Sequence, residues 1–393
     1  MSDLERILPL WRELETAGAD YVLATVVAVE GSSYRKPGTH MVLAGDSRRA
    51  GTVSGGCLEA EVARRAMWLT AQGPVVERYS TKEEDGDRPY GSGCGGVVSL
   101  LLERSATAAP LLAALERAFE ERIPLGVATV LDGPAIGRRA FAGLPEMPLE
   151  VAQPSNGLEP TAAKALQEMA ERALESCAPV VRRVAVDGVP ANAWADYRPA
   201  RPGLWIFGAG DDARPLVRLA RELDWFVAVA DGRSDLATRE RFPTASQVSV
   251  LPLAGRSGAG RSSGDLSAPV PALIGLKPTD AAVVMAHSFE QDARVLAGLL
   301  SLVAPPAYIG VLGPQRRTRE LLAEAARLLG KANPLDRAER WLRLVHAPMG
   351  LDLGADTPAS IALSVLAEIQ QVLTASTGLP LRRVRASTPA IPG

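Results

Sequence analysis

A cysteine at the start of a predicted helix is the first residue of this sequence that could do chemistry. Cys57 stands in the stretch GTVSGGCLEAEVARRA, directly after a Gly-Gly pair. Apolar residues then recur with the period of an α-helix, at Leu58, Val62, Ala66 and Leu69. Unpaired backbone N–H groups and the helix dipole stabilise a reactive thiolate at such a position, which is one interpretation of Cys57. The other is a small apolar residue buried where the helix begins.

A second cysteine lies on a glycine-rich stretch. Cys94 stands in GSGCGG, between Gly93 and Gly95, and glycine offers no side chain against which a thiol could pack. Cys57 and Cys94 are therefore both candidate reactive residues, although the sequence does not say whether they are close in space. Cys177, at the end of a predicted helix, is interpreted as structural. With three histidines and no C-x-x-C pattern in the sequence, a zinc site is not favoured.

The turn Gly208-Ala209-Gly210-Asp211-Asp212-Ala213 has the G-x-G-x-x-A spacing of a dinucleotide-binding fingerprint. In that motif the first glycine permits a tight turn, and the second lets a pyrophosphate approach the start of a helix. The next predicted strand ends at Asp231, near the position from which an acidic residue holds a ribose hydroxyl. We therefore predict a Rossmann-like fold with Gly208, Gly210 and Asp231 in a cofactor-binding site, and leave open whether a dinucleotide binds.

His287 closes the predicted strand AAVVMAH, and Asp292 lies on the helix that follows. Open parallel sheets bind ligands outside the carboxyl ends of their strands, so His287 is a candidate contact for a cofactor. A histidine here can equally cap a helix or pack against its neighbours. The sequence does not decide between these roles.

The elements that would position these residues follow two patterns. From residue 201 onward, apolar strands alternate with helices, which predicts an α/β domain with a doubly wound parallel sheet. Residues 1–105 indicate a mixed α/β domain that carries the two cysteine loops, and 106–200 an intervening α/β segment packed with it. The aperiodic stretch YRPARPG places the boundary before the Rossmann-like domain, 201–393.

Composition excludes several classes of protein. Of the 393 residues, 47% are hydrophobic and 22% charged, which is typical of a folded globular protein. A formal net charge of −2 provides no global field to attract nucleic acid or an anionic membrane. The N-terminus lacks the pattern of a signal peptide, no apolar run is long enough to span a bilayer, and cysteine is sparse. We therefore expect a cytoplasmic protein.

Six stretches of the chain form a recognisable set. They are GSSYRKPG, GTVSGGCLEAEV, GSGCGGVVSLLLE, LWIFGAGDDARPL, YIGVLGPQRR and APMGLDLGADTPASIALSVLAEI. In this order they resemble the XdhC/CoxI family of xanthine dehydrogenase accessory proteins along nearly the whole chain, except for residues 106–200. His40, in GTHM, stands where the family pattern has arginine or lysine. This departure leaves open whether the position contacts an anionic ligand.

The resemblance implies a maturation factor that binds the molybdenum cofactor and protects it during sulfuration by a cysteine desulfurase. Such a factor delivers the cofactor to an apo-enzyme of the xanthine dehydrogenase or carbon monoxide dehydrogenase type. The matches to SGGCLE and GCGG also imply that two loops contact the cofactor, with the cysteines near its molybdenum or sulfur. Their residues are Ser54, Gly55, Gly56, Cys57, Gly93, Cys94 and Gly95. Soft thiolates suit a molybdenum–sulfur centre.

Functions from different classes remain open. The first is a chaperone without catalytic activity, whose cargo is molybdopterin or its dinucleotide form, with the pyrophosphate of the latter at Gly208 and Gly210. The second is a NAD(P)-dependent oxidoreductase, in which His287 would have to act without a Lys or Tyr partner beside the fingerprint. A regulatory scaffold that binds no ligand is the third. We adopt the chaperone hypothesis. The sequence does not determine the client enzyme, the form of the cofactor or whether the protein forms a homodimer.

Overall fold

The computed structural model describes residues 4–31, 33–56, 58–80, 96–144, 158–251 and 275–386. These residues form two compact units, which divide between Arg201 and Pro202. Each unit has its own sheets. Among the described residues, no helix combines the length and the apolar character that crossing a membrane requires.

The first sheet of the N-terminal unit has five antiparallel strands: β1 (Tyr21–Glu30), β2 (His40–Ala44), β3 (Arg49–Gly51), β4 (Val75–Ser80) and β5 (Val97–Arg104). Their order across the sheet is β3-β2-β1-β5-β4. Its helices are α1 (Leu4–Thr16), α2 (Glu59–Leu69) and α3 (Ser105–Glu121). Successive residues of β1 face opposite sides, because side chains alternate along a strand. Tyr21 and Leu23 pack with α1 and α3, whereas Val22 and Ala24 pack with α2. The sheet is therefore buried on both faces.

A second antiparallel sheet follows in the same unit, in the order β7-β6-β9-β8, where β6 is Leu125–Val130, β7 is Arg139–Ala142, β8 is Val180–Val186 and β9 is Val189–Arg198. The helix α4 (Pro160–Ser176) packs against it. Leu125 and Val127 join the core of α1 and α3, while Ala128 and Val130 pack with α4. The residues after 105 thus share a core with the first sheet.

The C-terminal unit contains a parallel sheet of five strands: β10 (Gly203–Phe207), β11 (Phe226–Asp231), β12 (Gln247–Val250), β13 (Ala281–Val284) and β14 (Tyr308–Val311). Their order across the sheet is β12-β11-β10-β13-β14. Its helices are α5 (Ala213–Glu222), α6 (Phe289–Ser301), α7 (Gln315–Leu328), α8 (Pro334–Trp341), α9 (Pro358–Leu373) and α10 (Leu381–Ala386). The sequence pattern identifies neither β7 nor β12, which are four residues long and only partly apolar.

Alternate residues of β10 explain why helices cover both faces of this sheet. Trp205 and Phe207 lie in the core formed with α6, α7 and α8, whereas Leu204 and Ile206 lie in the core formed with α5 and α9. The predicted fold class is confirmed: antiparallel sheets with helices in the N-terminal unit, and a doubly wound Rossmann-like sheet in the C-terminal unit. The strand order reverses between β10 and β13, which is where such sheets bind their ligands.

Candidate functional site

The turn that follows β10 carries two glycines with different structural roles. Gly208 has a φ of +138°, and a Cβ there would lie 2.5 Å from the carbonyl oxygen of Met285. Glycine is required at this position because the chain leaving β13 passes directly beside it. Among the described residues, no atom lies within 4 Å of the place where the Cβ of Gly210 would stand. The second glycine therefore leaves an open surface at the start of α5, as the fingerprint requires for a ligand.

Backbone donors border this open surface. Within the described part of the chain, the N–H groups of Gly210, Asp211 and Asp212 donate to no acceptor, whereas the N–H of Ala209 donates to Asp231. The side chain of Asp212, the residue before α5, does not cap the helix. Free amides at a helix N-terminus, together with the positive end of the helix dipole, favour an anionic group.

Asp231 lies at the predicted place, fully buried at the end of β11. Its Oδ2 accepts from Ala209 N at 2.7 Å and from Arg233 Nη2 at 2.8 Å. Its Oδ1 accepts from the N and the Nε of Arg233, at 2.9 and 3.0 Å. Burial alone would raise the pKa of Asp231, but these hydrogen bonds outweigh it and lower the pKa. The carboxylate is ionised and its four acceptor positions are filled, while its contact with a ribose stays a prediction.

His287 approaches the same turn from the β13 side. It has a left-handed backbone, with φ +61°, and its exposed Nε2 lies 3.7 Å from Oδ2 of Asp212. The N–H of Ala286 donates to Oδ1 of Asp292 at 3.1 Å, and Arg317 donates to Oδ2 at 2.8 Å. Burial raises the pKa of Asp292. The structure thus brings His287 to the turn, whereas Asp292 faces inward and fixes the backbone just before His287.

Three polar residues beside the turn are absent from the sequence predictions. Arg233 binds Asp231 as described, and Arg241 Nη2 donates to Oδ1 of Asp211 at 2.9 Å. Gln291, in the first turn of α6, accepts at Oε1 from Gly232 N at 3.0 Å. One sequence feature indicated a role for Arg233, because this residue lies two positions after Asp231, the acidic residue that ends β11. No sequence pattern identified Arg241 or Gln291, because their positions in the site depend on how the loops pack.

The loop before α2 is held by a buried carboxylate. Ser54 donates from its N to Oε1 of Glu59 at 2.8 Å and from its hydroxyl to Oε2 at 2.5 Å. Thr52 also donates its hydroxyl to Oε1 of Glu59. Burial opposes ionisation of Glu59, but the bonds from Ser54 and Thr52 outweigh it and lower its pKa to about 2. The ionised Glu59 therefore fixes the base of the Ser54-Gly55-Gly56 loop.

The GSSYRKPG loop packs against this loop. A Cβ on Gly55 would lie 3.2 Å from Cδ2 of Tyr34, and Arg35 Nε donates to the carbonyl of Ser54 at 3.4 Å. Gly56 has a φ of +113°, and no described residue lies within 4 Å of its Cβ position. Gly55 and Gly56 are both exposed. Two adjacent loops thus present open backbone where the chain enters α2.

Four of the predicted site residues lie outside the described residues: Cys57, Gly93, Cys94 and Gly95. The helix predicted to follow Cys57 does begin at Glu59. Cys177 ends α4 and is exposed, with its Sγ 3.7 Å from the carbonyl oxygen of Leu174, and its interpretation as a structural residue stays a prediction. Within the ranges that the structure describes, no three His, Cys, Asp or Glu side chains gather where they could hold a metal ion.

His40, the departure from the family pattern, is a buried interior residue. Its Nε2 lies 2.5 Å from Arg198 Nη2, and its Nδ1 lies 3.0 Å from Oγ1 of Thr25. Arginine only donates, so Nε2 is the acceptor and the proton resides on Nδ1. Burial, and then the charges of Arg198 and Arg139, hold the pKa of His40 well below its usual value. His40 is therefore neutral and joins β1 and β2 to the second sheet.

Two family models match the chain. The model of the XdhC and CoxI family matches residues 14–80, which include both loops beside α2. The model of the XdhC Rossmann domain matches residues 204–369, from β10 into α9. The matches thus include the candidate site residues of the loop before α2 and of the Rossmann-like domain, whereas Gly93, Cys94 and Gly95 lie outside both ranges.

Individual relatives agree with these models. The chain is 29% identical over 371 residues to a protein of Bacillus subtilis (strain 168) that is named as a probable xanthine dehydrogenase subunit, covering 89% of this chain and 92% of that protein. It is 35% identical over 134 residues to the molybdenum cofactor insertion chaperone PaoD of Escherichia coli (strain K12), covering 32% and 39%. It resembles a crystal structure of a xanthine dehydrogenase from Bacillus halodurans at a TM-score of 0.60 and 27% identity, covering 99% and 98% of the two chains. The chain therefore belongs to the XdhC and CoxI family and carries an XdhC Rossmann domain.

Proposed function

We propose that this protein is a molybdenum cofactor chaperone. It binds the cofactor, protects it while a cysteine desulfurase supplies the sulfur, and delivers it to an apo-enzyme of the xanthine dehydrogenase or carbon monoxide dehydrogenase type. The cofactor is cargo, and the protein turns over no substrate. Family membership supports this proposal, as does the similarity to PaoD, which is itself named as a molybdenum cofactor insertion chaperone.

The open loop of the N-terminal unit is the observation that carries the proposal. Gly55 and Gly56 expose their backbone and lead directly to Cys57, while Ser54 and Glu59 hold the base of the loop. A bulky pterin can approach glycine backbone closely because no Cβ intervenes. A thiolate from Cys57 would be a soft ligand suited to molybdenum or its sulfur.

The turn after β10 supports binding of the anionic part of the cargo. Gly210 leaves its surface open, and three backbone N–H groups there have no acceptor in the described part of the chain. These donors suit a phosphate or pyrophosphate. Gly208, Gly210 and His287 are therefore the proposed contacts of the C-terminal unit.

Reconstitution tests the proposal. An apo-molybdoenzyme, the cofactor and a sulfur source are mixed with and without the full chain, and the client's own reaction is assayed. We expect faster and more complete activation with the chain present. Equal activation in both mixtures would contradict the proposed chaperone function. Steady NAD(P)H oxidation by the chain alone would favour an oxidoreductase.

A further inference from the structure

A group of polar residues gathers where β11 ends, and we call it the β11 corner. It consists of Asp231, Gly232, Arg233, Arg241 and Gln291. Gln291 is only 3% exposed, and its Nε2 donates to no described group although its Oε1 is bonded to Gly232 N. The Nε of Arg241 is also buried without a partner among the described residues. Buried donors without acceptors are costly, so the corner lacks an acceptor that a ligand or a water would supply.

The carboxylate of Asp231 has no open acceptor position for a ribose diol. Both hydroxyls of a diol would donate to Asp231, yet its carboxylate already accepts four hydrogen bonds from Ala209 and Arg233. For a diol to bind, Arg233 would have to release the carboxylate. That release would leave a buried negative charge without its cation, which is strongly unfavourable.

Arg233 is, by contrast, prepared to bind an anion. Its Nε and Nη2 hold Asp231, and Nη2 also lies 3.4 Å from the carbonyl oxygen of Ala286. Its Nη1 donates to none of the described residues, and the side chain is 45% exposed. Because Asp231 already fixes the plane of the guanidinium, Arg233 loses little conformational freedom on binding a ligand.

The acidic residues of the turn direct an anion toward the β11 corner. Asp212 faces His287 on the β13 side, and its carboxylate would repel a doubly charged group placed there. The negative charge of Asp211 is neutralised by Arg241, whose Nη2 lies 2.9 Å from Oδ1 of Asp211. The β11 side of the turn therefore combines two arginines with the unpaired donor of Gln291.

We propose that the β11 corner binds a phosphomonoester through Arg233 Nη1 and Gln291 Nε2, and discriminates against the same ligand without that phosphate. Two ligands share this chemistry: the phosphate of molybdopterin and the 2′-phosphate of NADP. In the first case the inference rests on the proposed function and specifies which part of the cargo the C-terminal unit holds.

Calorimetry on the full chain tests the proposal with two matched pairs of probes. The first pair is NADP⁺ and NAD⁺, and the second is molybdopterin and its phosphatase-treated form. We expect the phosphorylated member of at least one pair to bind at least about tenfold more tightly, since hydrogen bonds to a charged group are worth that much. The pair that shows the preference identifies the source of the phosphate.

Three variants assign the preference to the β11 corner. Arg233→Ala removes the guanidinium and uncovers the acceptors of Asp231, so the preference should vanish or reverse toward NAD⁺ while the unphosphorylated probe still binds, which loss of folding would not produce. Gln291→Glu keeps the acceptor for Gly232 but replaces the unpaired donor by a negative charge, so the phosphorylated probe should weaken by about tenfold or more. Arg218→Ala, at an exposed position of α5, is the matched control and should change nothing.

Two results would overturn the inference: equal binding or no binding of both members in both pairs, or an unchanged preference in both Arg233→Ala and Gln291→Glu. If client activation in the reconstitution assay persists under either result, the chaperone function stands and only the β11 corner is misassigned.

Discussion

Ser54 donates its hydroxyl to Oε2 of Glu59 at 2.5 Å, and the same hydroxyl oxygen accepts the N–H groups of Gly56 and Leu58, each at 3.1 Å. The buried carboxylate of α2 thereby organises the loop on both sides of Cys57 through one serine. The shape of this loop consequently depends on hydrogen bonds to a single ionised group.

Glu59→Gln should destabilise the protein by about 2 kcal/mol, because it removes charge-assisted bonds to Ser54 and Thr52 at a buried position. Urea unfolding of the full chain measures the change. Glu61→Gln, on the same helix, is the matched control: Glu61 pairs with Arg64 at the surface, so its loss should cost less than about 1 kcal/mol. Similar losses in the two variants would contradict the role given to Glu59.

His40→Gln should flatten the dependence of stability on acid pH. His40 is neutral in the folded chain, whereas an unfolded histidine takes up a proton near about pH 6.5. The unfolded state thus binds more protons below that pH, and stability falls by about 1.4 kcal/mol per pH unit as the pH drops toward the depressed folded pKa.

Unfolding of both proteins at about pH 7 and about pH 5.5 measures this effect, and glutamine retains an acceptor for Arg198 and a donor for Thr25. Asp196, which lies beside Arg198, has a pKa raised by burial and so acts in the opposite direction. Its contribution is common to both proteins and cancels in the comparison. An equally steep pH dependence in the variant would show that His40 is not the responsible group.

Gly208→Ala should lower the stability of the protein, whereas Gly210→Val should lower its affinity for the cofactor. Alanine at 208 places a Cβ against the carbonyl of Met285 and strains the backbone, which should cost roughly 2 kcal/mol or more of stability. Valine at 210 enters space that no described residue occupies, so stability should change by less than about 1 kcal/mol, while binding of the molybdenum cofactor should drop by at least about tenfold. Thermal unfolding and cofactor retention, measured on both variants, distinguish them, and full retention in Gly210→Val would remove the turn from the site.

Cys57→Ser should preserve folding and reduce cofactor retention and client activation, because a hydroxyl stays protonated and is a poor ligand for a soft metal. Cys177→Ser is the control, since that thiol is exposed at the end of α4. Client activation and the cofactor that co-purifies with each variant are the measurements. Equal performance of the two variants would exclude Cys57 from cofactor handling.

Local sequence patterns predicted the parts of the fold that depend on neighbouring residues. The apolar run LWIF and the glycines after it identified β10 and its turn, and the step from Gly208 to Asp231 located the end of β11. Each of these features follows from periodicity or from a motif of fixed spacing. They were sufficient to predict the Rossmann-like sheet, whereas the reversal of strand order between β10 and β13 was not predicted.

Contacts between distant segments were not predictable in the same way. His40 meets Arg198, which is 158 residues away, through the packing of two sheets whose pairing no local pattern specifies. Arg233 is close to Asp231 in sequence, but its rotamer decides whether the carboxylate is open or filled. Gln291 reaches Gly232 only because the order of the strands brings their ends together.

The contrast between Gly208 and Gly210 changes how relatives of this protein should be compared. The neighbouring carbonyl of Met285 demands glycine at 208 whether or not a ligand is present, so its retention in a homologue reports only that the sheet is intact. At 210 the described part of the chain imposes no such demand, because none of its atoms lies within 4 Å of the Cβ position. A homologue that keeps the first glycine and carries a bulky residue at the second would mark a lineage in which the domain persists and the ligand has been lost.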